Sequence, residues 1–172
     1  MSDPPRKVYW DSGLFICFLN RSELERRKIC EDILRCARDG KIRIYTSTWT
    51  IVEVVRPSPK SLPTSQVLTP EQIGKIRQMF EWDWIVKIQV DQRVAFKAVE
   101  LARDHGLRPA DAVHAASAIL NKLDAIQKWD RDFGKISHLI QVEEPQFISK
   151  QPSLIEDSKL RLGPHPDDFT KP

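Results

Sequence analysis

The sequence predicts an α/β fold in which a mainly parallel central sheet carries helices on both faces. Three observations support this: β-prone and helical segments alternate along the chain, 172 residues suit one domain, and the composition is globular, with 41% hydrophobic and 30% charged residues. We expect one domain over residues 1–148 and a loosely packed or disordered tail over 149–172. Because there is neither a membrane-length apolar run nor a signal-type segment, we expect a cytoplasmic protein without membrane contact.

In the first half of the chain, strands are predicted where β-prone residues run or alternate, and helices where apolar residues recur at helical spacing. Ser22 and Glu25 form a capping-box pattern at the start of one helix, and Gly40 ends it. The expected elements are, in order, strand 7–10, helix 14–19, helix 23–39, strand 42–46 and helix 49–55.

The second half begins after a proline-rich loop predicted over 57–70. Thr69 and Gln72 form a capping box around the next helix start, Asp91 can cap a further helix, and Gly106 stops that helix. The expected elements are helix 70–82, strand 84–90, helix 92–105, helix 109–122, strand 123–129 and strand 137–142.

Charge and cysteine content narrow the class of protein. The net charge is +3, from 27 Lys and Arg against 24 Asp and Glu. If some carboxylates gather in one site, the rest of the surface is basic enough for a polyanionic substrate; an ordinary mixed-charge surface explains the numbers equally well.

Cys17, Cys30 and Cys36 form no C-x-x-C pair and fall in apolar helical segments, which predicts buried free thiols and no zinc site.

Four carboxylates fall where parallel sheets build their sites, outside the carboxyl ends of the strands. Asp11 follows the first strand, Asp130 follows the fourth, Glu53 lies in the helix after the second, and Asp111 lies in the first turn of the alanine-rich helix. Taken singly, each is better explained as a cap, a turn residue, a solvent-facing residue or a partner of the helix dipole.

Taken together, the four carboxylates favour a metal site. If they converged, each pair at ~4 Å would cost about 4 kcal/mol at an effective dielectric near 20, so protons, arginines or a metal would have to compensate. Clustered oxygen ligands favour hard cations such as Mg²⁺ or Mn²⁺. An open site of this kind can activate water and stabilise charge on a phosphodiester.

In the stretches around these four carboxylates, the chain resembles PIN-domain ribonucleases and is most similar to the VapC-type toxins of bacterial toxin–antitoxin pairs. The resemblance runs from residue 7 to about 142. It implies a three-layer α/β/α PIN-like fold and a metal-dependent endoribonuclease that cuts RNA by water attack, leaving 5′-phosphate and 3′-hydroxyl ends. The matching stretches occur in family order: VYWDS at 8–12, STWTIVE at 47–53, PADAVHAA at 109–116 and WDRDF at 129–133.

The resemblance also implies roles for individual residues. Asp11, Glu53, Asp111 and Asp130 would form the catalytic quartet. Of these, Asp11, Asp111 and Asp130 would bind Mg²⁺ or Mn²⁺, and Glu53 would position water or act as a further ligand. Two auxiliary residues, Asp132 and Ser12, complete the expected site; Ser12 could instead only cap the next helix.

Two cations are candidates for RNA binding. Lys128 stands where family members commonly have Thr or Ser, and could hold a phosphate or merely end a strand at the surface. Arg56 lies three residues after Glu53 on the same predicted helix face, and could contact the RNA backbone or belong to a solvated surface. For His114, packing or a hydrogen bond is favoured over a catalytic role.

Tryptophans beside the quartet residues could stack on bases, but core packing is favoured for Trp10, Trp49 and Trp129. The resemblance implies a homodimer that binds RNA as substrate and an antitoxin protein as partner. Helices 14–19 and 49–55 would be the walls of the antitoxin groove, although core packing explains these apolar helices equally well. A second hypothesis is a non-catalytic PIN-like module that binds RNA or protein. A third, a phosphate-ester hydrolase, is disfavoured because Gly13 stands where such enzymes need a second Asp.

Overall fold

The structure, a computed structural model, describes residues 4–20, 23–55 and 68–149. It confirms the three-layer α/β/α fold: within this part of the chain, five parallel strands in the order β3-β2-β1-β4-β5 lie between layers of helices. The elements are β1 Arg6–Trp10, α1 Ser12–Leu19, α2 Leu24–Arg38, β2 Ile42–Ser47, α3 Thr48–Val55, α4 Pro70–Phe80, β3 Ile85–Ile88, α5 Gln92–His105, α6 Pro109–Leu120, β4 Ala125–Gln127, a 3-10 helix Arg131–Ile136 and β5 Gln141–Glu143.

The two faces of the sheet carry separate hydrophobic cores because side chains alternate along a strand. Val8 and Trp10 pack on one face with buried residues of α1, α2 and α4. Tyr9 packs on the other face with buried residues of α5 and α6 and with the 3-10 helix. The central strand β1 is therefore buried on both sides, and its end is a fixed point from which a site can be built.

Local signals in the sequence place several helix ends correctly. Thr69 and Gln72 form the expected capping box at the start of α4. Asp91 accepts a hydrogen bond from the backbone N–H of Val94, at 3.0 Å, at the start of α5. Gly106 ends α5 with φ of 62°, a left-handed conformation that glycine adopts without steric cost.

Several predicted elements differ from the structure. The strands expected over 84–90 and 123–129 are confined to β3 and β4, and the strand expected over 137–142 begins only at Gln141. The buried residues Phe133, Ile136 and Ile140 before it recur at helical spacing, so this stretch packs as a 3-10 helix and a turn. The helix expected from 23 begins at Leu24, after Glu23; the proposed cap Ser22 lies outside the described residues.

The remaining expectations concern the cysteines, the proline-rich loop, the C-terminal tail and the membrane. Cys17, Cys30 and Cys36 are free and buried, as predicted. Of the predicted loop, only 68–70 is described, and of the predicted tail only Ser149 is described. In the described part of the chain, no helix has the length and apolarity that crossing a membrane requires.

Candidate active site

The site begins where two neighbouring parallel strands end. Trp10 of β1 pairs with Gln127 of β4, so the residues that follow them, Asp11 and Lys128, emerge side by side at the carboxyl edge of the sheet. Asp11 is buried and caps α1, where its Oδ1 accepts a hydrogen bond from the Gly13 N–H at 2.9 Å. The second oxygen of Asp11 is therefore the one available to a cation.

Lys128 joins Asp11 to Asp111. Its Nζ lies 3.2 Å from Asp11 Oδ2 and 2.9 Å from Asp111 Oδ1, and its side chain is only 12% exposed. Asp111 reaches this point because Pro109 starts α6 and places Asp111 in the first turn. Lys128 was expected to hold a phosphate or to end a strand at the surface; in the structure, a carboxylate pair holds its ammonium below the surface.

The charge of Lys128 is stabilised from several sides. Burial lowers the pKa of the Lys128 ammonium, but the negative charge of Asp11 and the hydrogen bond and charge of Asp111 outweigh burial, so its pKa is raised overall. The ammonium also lies 4.2 Å from the centre of the Phe133 ring, a cation–π contact. Lys128 thus stays protonated at neutral pH and compensates the two carboxylates.

Glu53 forms the second part of the site. His114 Nε2 lies 2.8 Å from Glu53 Oε2, and His114 Nδ1 lies 2.9 Å from the Tyr9 hydroxyl. Both Tyr9 and His114 are buried, and burial raises the pKa of Tyr9, which keeps its hydroxyl protonated. The hydrogen-bonding role predicted for His114 is confirmed.

The carboxyl of Glu53 is stabilised in its ionised form. Burial raises the pKa of Glu53, but the hydrogen bond and Coulombic attraction of His114, together with hydrogen bonds from Ser12 and Trp49, outweigh burial and lower the pKa overall. Ser12, predicted as an auxiliary residue, therefore contacts Glu53 from the first residue of α1. The sequence placed Glu53 in this region but gave no sign that Tyr9 would support it through His114.

Asp130 and Asp132 lie in the turn that starts the 3-10 helix. Asp130 is exposed and caps that helix, where its Oδ1 accepts a hydrogen bond from the Asp132 N–H at 3.1 Å. Among the described residues, no three His, Cys, Asp or Glu side chains are grouped so that they could hold a metal ion. The structure therefore brings Asp11 and Asp111 together through Lys128 and holds Glu53 through His114. It leaves Asp130 in the turn before the 3-10 helix. Arg56 lies outside the described residues.

The three tryptophans beside the site differ in exposure. Trp10 is fully buried and its indole N–H donates to Gln127 Oε1 at 2.7 Å, which confirms core packing. Trp129 is half-buried beneath the guanidinium of Arg26, 5.2 Å from its ring centre. Trp49 is 43% exposed, so the prediction of core packing is wrong for this residue. It presents an aromatic surface beside Glu53.

Comparisons with known proteins identify the fold. The family model for the PIN domain matches residues 8–139. No curated protein matches the chain. Similar solved structures include a toxin–antitoxin complex from Klebsiella pneumoniae (20% identity, TM-score 0.57, covering 82% of this chain and 99% of that one). VapBC2 from Rickettsia felis, bound to a DNA fragment from its promoter, is 18% identical with a TM-score of 0.56. The match covers 81% of this chain and 99% of that one. VapC20 from Mycobacterium tuberculosis, a sarcin–ricin loop cleaving toxin, is 12% identical with a TM-score of 0.54. The match covers 74% of this chain and 92% of that one.

Proposed function

This chain belongs to the PIN domain family, and we propose that it is an Mg²⁺- or Mn²⁺-dependent endoribonuclease and the toxin of a toxin–antitoxin pair. The observation that carries the proposal is the convergence of Asp11 and Asp111 on one cationic centre. These carboxylates come from the end of a strand and the start of a helix, at the carboxyl edge of a parallel sheet. Sites in such sheets form at this edge.

The donor set fits a hard divalent cation. Mg²⁺ keeps several waters and is commonly held by one or two carboxylates together with a substrate phosphate. Asp11 and Asp111 would supply that pair, and Asp130 is proposed as a further ligand from the adjacent turn. When bound, the metal would stabilise charge on the phosphodiester and lower the pKa of water.

Glu53 would orient the attacking water. Its carboxyl is ionised at neutral pH, because hydrogen bonds from neighbouring side chains lower its pKa. His114 fixes one of its oxygens at 2.8 Å, so Glu53 can accept a hydrogen bond from water without first reorganising. Ser12, at the first residue of α1, and Asp132, at the start of the 3-10 helix, are proposed to support this arrangement.

RNA and an antitoxin are the proposed partners. The structural neighbours include toxin–antitoxin complexes and a toxin that cleaves the sarcin–ricin loop, which supports both partners by analogy. On α3, Trp49 and Val52 are 43% and 58% exposed and would form one wall of an antitoxin groove. The apolar residues Leu14 and Phe15 of α1 are buried in the core, so α1 would contribute less to the groove than the sequence suggested. A homodimer is proposed as well. Arg56 is proposed to contact RNA, and Lys128 is proposed to do so once its ammonium has left Asp11 and Asp111.

A second candidate function is a non-catalytic PIN-like module that binds RNA. The observation in its favour is Lys128, which already compensates the two carboxylates that would hold a metal. Such a module would bind RNA with the same surface and cut nothing, with or without metal.

Cleavage of a labelled structured RNA by purified protein separates the two candidates. With Mn²⁺, wild-type protein should cut, whereas Asp11→Asn and wild-type protein with chelator should not. The exposed Asp83 lies in the turn before β3, at the opposite edge of the sheet, so Asp83→Asn is a matched control that should cut like wild type. RNA binding without cleavage by wild-type protein would establish the binding module instead.

A further inference from the structure

The position of Lys128 has a consequence for the metal site. The residue follows β4 directly, and its backbone N–H donates to the carbonyl of Glu143 at 3.0 Å, so its main chain is fixed by the sheet. Its side chain reaches inward between Asp11 and Asp111, with Phe133 beneath it. The ammonium therefore occupies the point on which the two carboxylates converge.

A divalent cation cannot enter this point while Lys128 stays there. Such a cation binds carboxylate oxygens at about 2.1 Å, whereas Nζ lies at 3.2 and 2.9 Å from the same two oxygens. A metal between Asp11 and Asp111 would therefore be in contact with a second positive charge. Lys128 must withdraw before the metal can use both carboxylates.

We propose that Lys128 is the resident cation of this site and sets its affinity for divalent metal. The ammonium holds Asp11 and Asp111 together in the metal-free protein and competes with Mg²⁺ or Mn²⁺ for them. The free protein should thus load metal weakly, and removing the lysine charge should strengthen loading. This inference rests on the proposed role of Asp11 and Asp111 as metal ligands.

Titration calorimetry with Mn²⁺ and no RNA tests the inference independently of activity. Lys128→Gln keeps a hydrogen-bond donor but removes the positive charge that repels the metal, and it should bind Mn²⁺ about 10- to 100-fold more tightly than wild type. The matched control is Lys135→Gln, because Lys135 lies on the 3-10 helix that Asp130 caps, and its Nζ donates to the Gly106 carbonyl at 3.2 Å. Lys135→Gln should bind Mn²⁺ like wild type, and adding Asp11→Asn to Lys128→Gln should abolish the gain.

Thermal unfolding is a second readout, in case loss of Lys128 weakens the fold. Without metal, two uncompensated carboxylates should lower the Tm of Lys128→Gln, and Mn²⁺ should raise it far more than it raises the wild-type Tm. Equal Mn²⁺ affinity and equal Tm shifts in wild type and Lys128→Gln would overturn the inference and leave the proposed nuclease intact. If Lys128→Gln binds no Mn²⁺, both the inference and the proposed metal role of Asp11 fail.

Discussion

The imidazole Nε2 of His114 lies 2.8 Å from Oε2 of Glu53, and this contact ties α6 to α3 at the carboxyl edge of the sheet. On its other side, His114 Nδ1 lies 2.9 Å from the Tyr9 hydroxyl. The imidazole therefore bridges the two side chains, and its Nε2–H donates to the Glu53 carboxylate. His114 is therefore a positioning residue for Glu53 and has no need to contact RNA.

Replacing His114 should change the pH dependence of cleavage. In His114→Ala, Glu53 loses the largest of the interactions that lower its pKa, so the acidic limb of the pH–rate profile should move to higher pH. The matched control is Tyr9→Phe, which removes the other partner of the imidazole but keeps the contact with Glu53. An acidic limb that stays in place in His114→Ala would contradict the positioning role.

Glu53 should contribute stability that depends on pH. Its folded pKa is below the ordinary value of 4.5, so its contribution is fully present above 4.5 and is lost as the pH falls through the folded value. The difference in free energy of unfolding between wild type and Glu53→Gln should therefore narrow in acid, as measured by urea unfolding. Glu144→Gln, which removes an exposed carboxyl after β5, is the control. A difference for Glu53→Gln that does not vary with pH would refute this.

Trp49 should bind a base of the substrate. It is 43% exposed beside Glu53, and stacking of one base on an aromatic ring contributes about 1–3 kcal/mol. In an Asp11→Asn background that prevents cleavage, Trp49→Ala should weaken binding of single-stranded RNA roughly 5- to 150-fold by fluorescence anisotropy. Trp49→Phe should retain most of the affinity.

The control for Trp49 is Phe96→Ala on α5. Phe96 is 65% exposed on α5, and α5 packs on the opposite side of the sheet from α3, so loss of Phe96 should leave RNA binding unchanged. Equal losses in both variants would indicate non-specific contact and not a stacking position.

Asp32 of α2 should hold the segment that contains Ile148 and Ser149 in place. Its buried carboxylate accepts hydrogen bonds from the backbone N–H groups of Ile148 and Ser149, at 2.8 and 3.1 Å, and from the Ser149 hydroxyl. Asp32→Ala leaves these donors unpaired, which should cost about 1–3 kcal/mol of unfolding free energy and expose this segment to limited proteolysis. Asp39→Ala, at the exposed end of α2, is the control and should resist the protease like wild type.

The sequence predicts those features whose causes are local. The capping box of Thr69 and Gln72, the cap at Asp91 and the stop at Gly106 each involve neighbouring residues, and each appears in the structure as expected. The third, fourth and fifth strands were predicted too long because β-prone composition does not show where strand pairing ends. In the stretch before β5, Phe133 and Ile136 pack at helical spacing, and this tertiary preference outweighs strand propensity.

Sequence patterns did not predict which residues far apart in the chain contact each other. The residues at the carboxyl edge could be named because parallel strands end there, but the partner of each carboxylate could not. Lys128 meets Asp111 and His114 meets Glu53 only after the strands and helices have packed. Trp49 was assigned to the core because neighbouring side chains point in opposite directions along a strand, whereas Trp49 lies on the helix α3 and is exposed.

The chemical identity of the cleaved ends tests the central claim most directly. If Asp11, Asp111 and Glu53 direct water at the phosphodiester, RNA cut by wild-type protein with Mn²⁺ should carry 5′-phosphate and 3′-hydroxyl ends, as read by end-specific labelling and mass spectrometry. A 2′,3′-cyclic phosphate would mean that the 2′-hydroxyl of the RNA attacks. That result, or cleavage that survives chelation and the Asp11→Asn substitution, would contradict the proposed site.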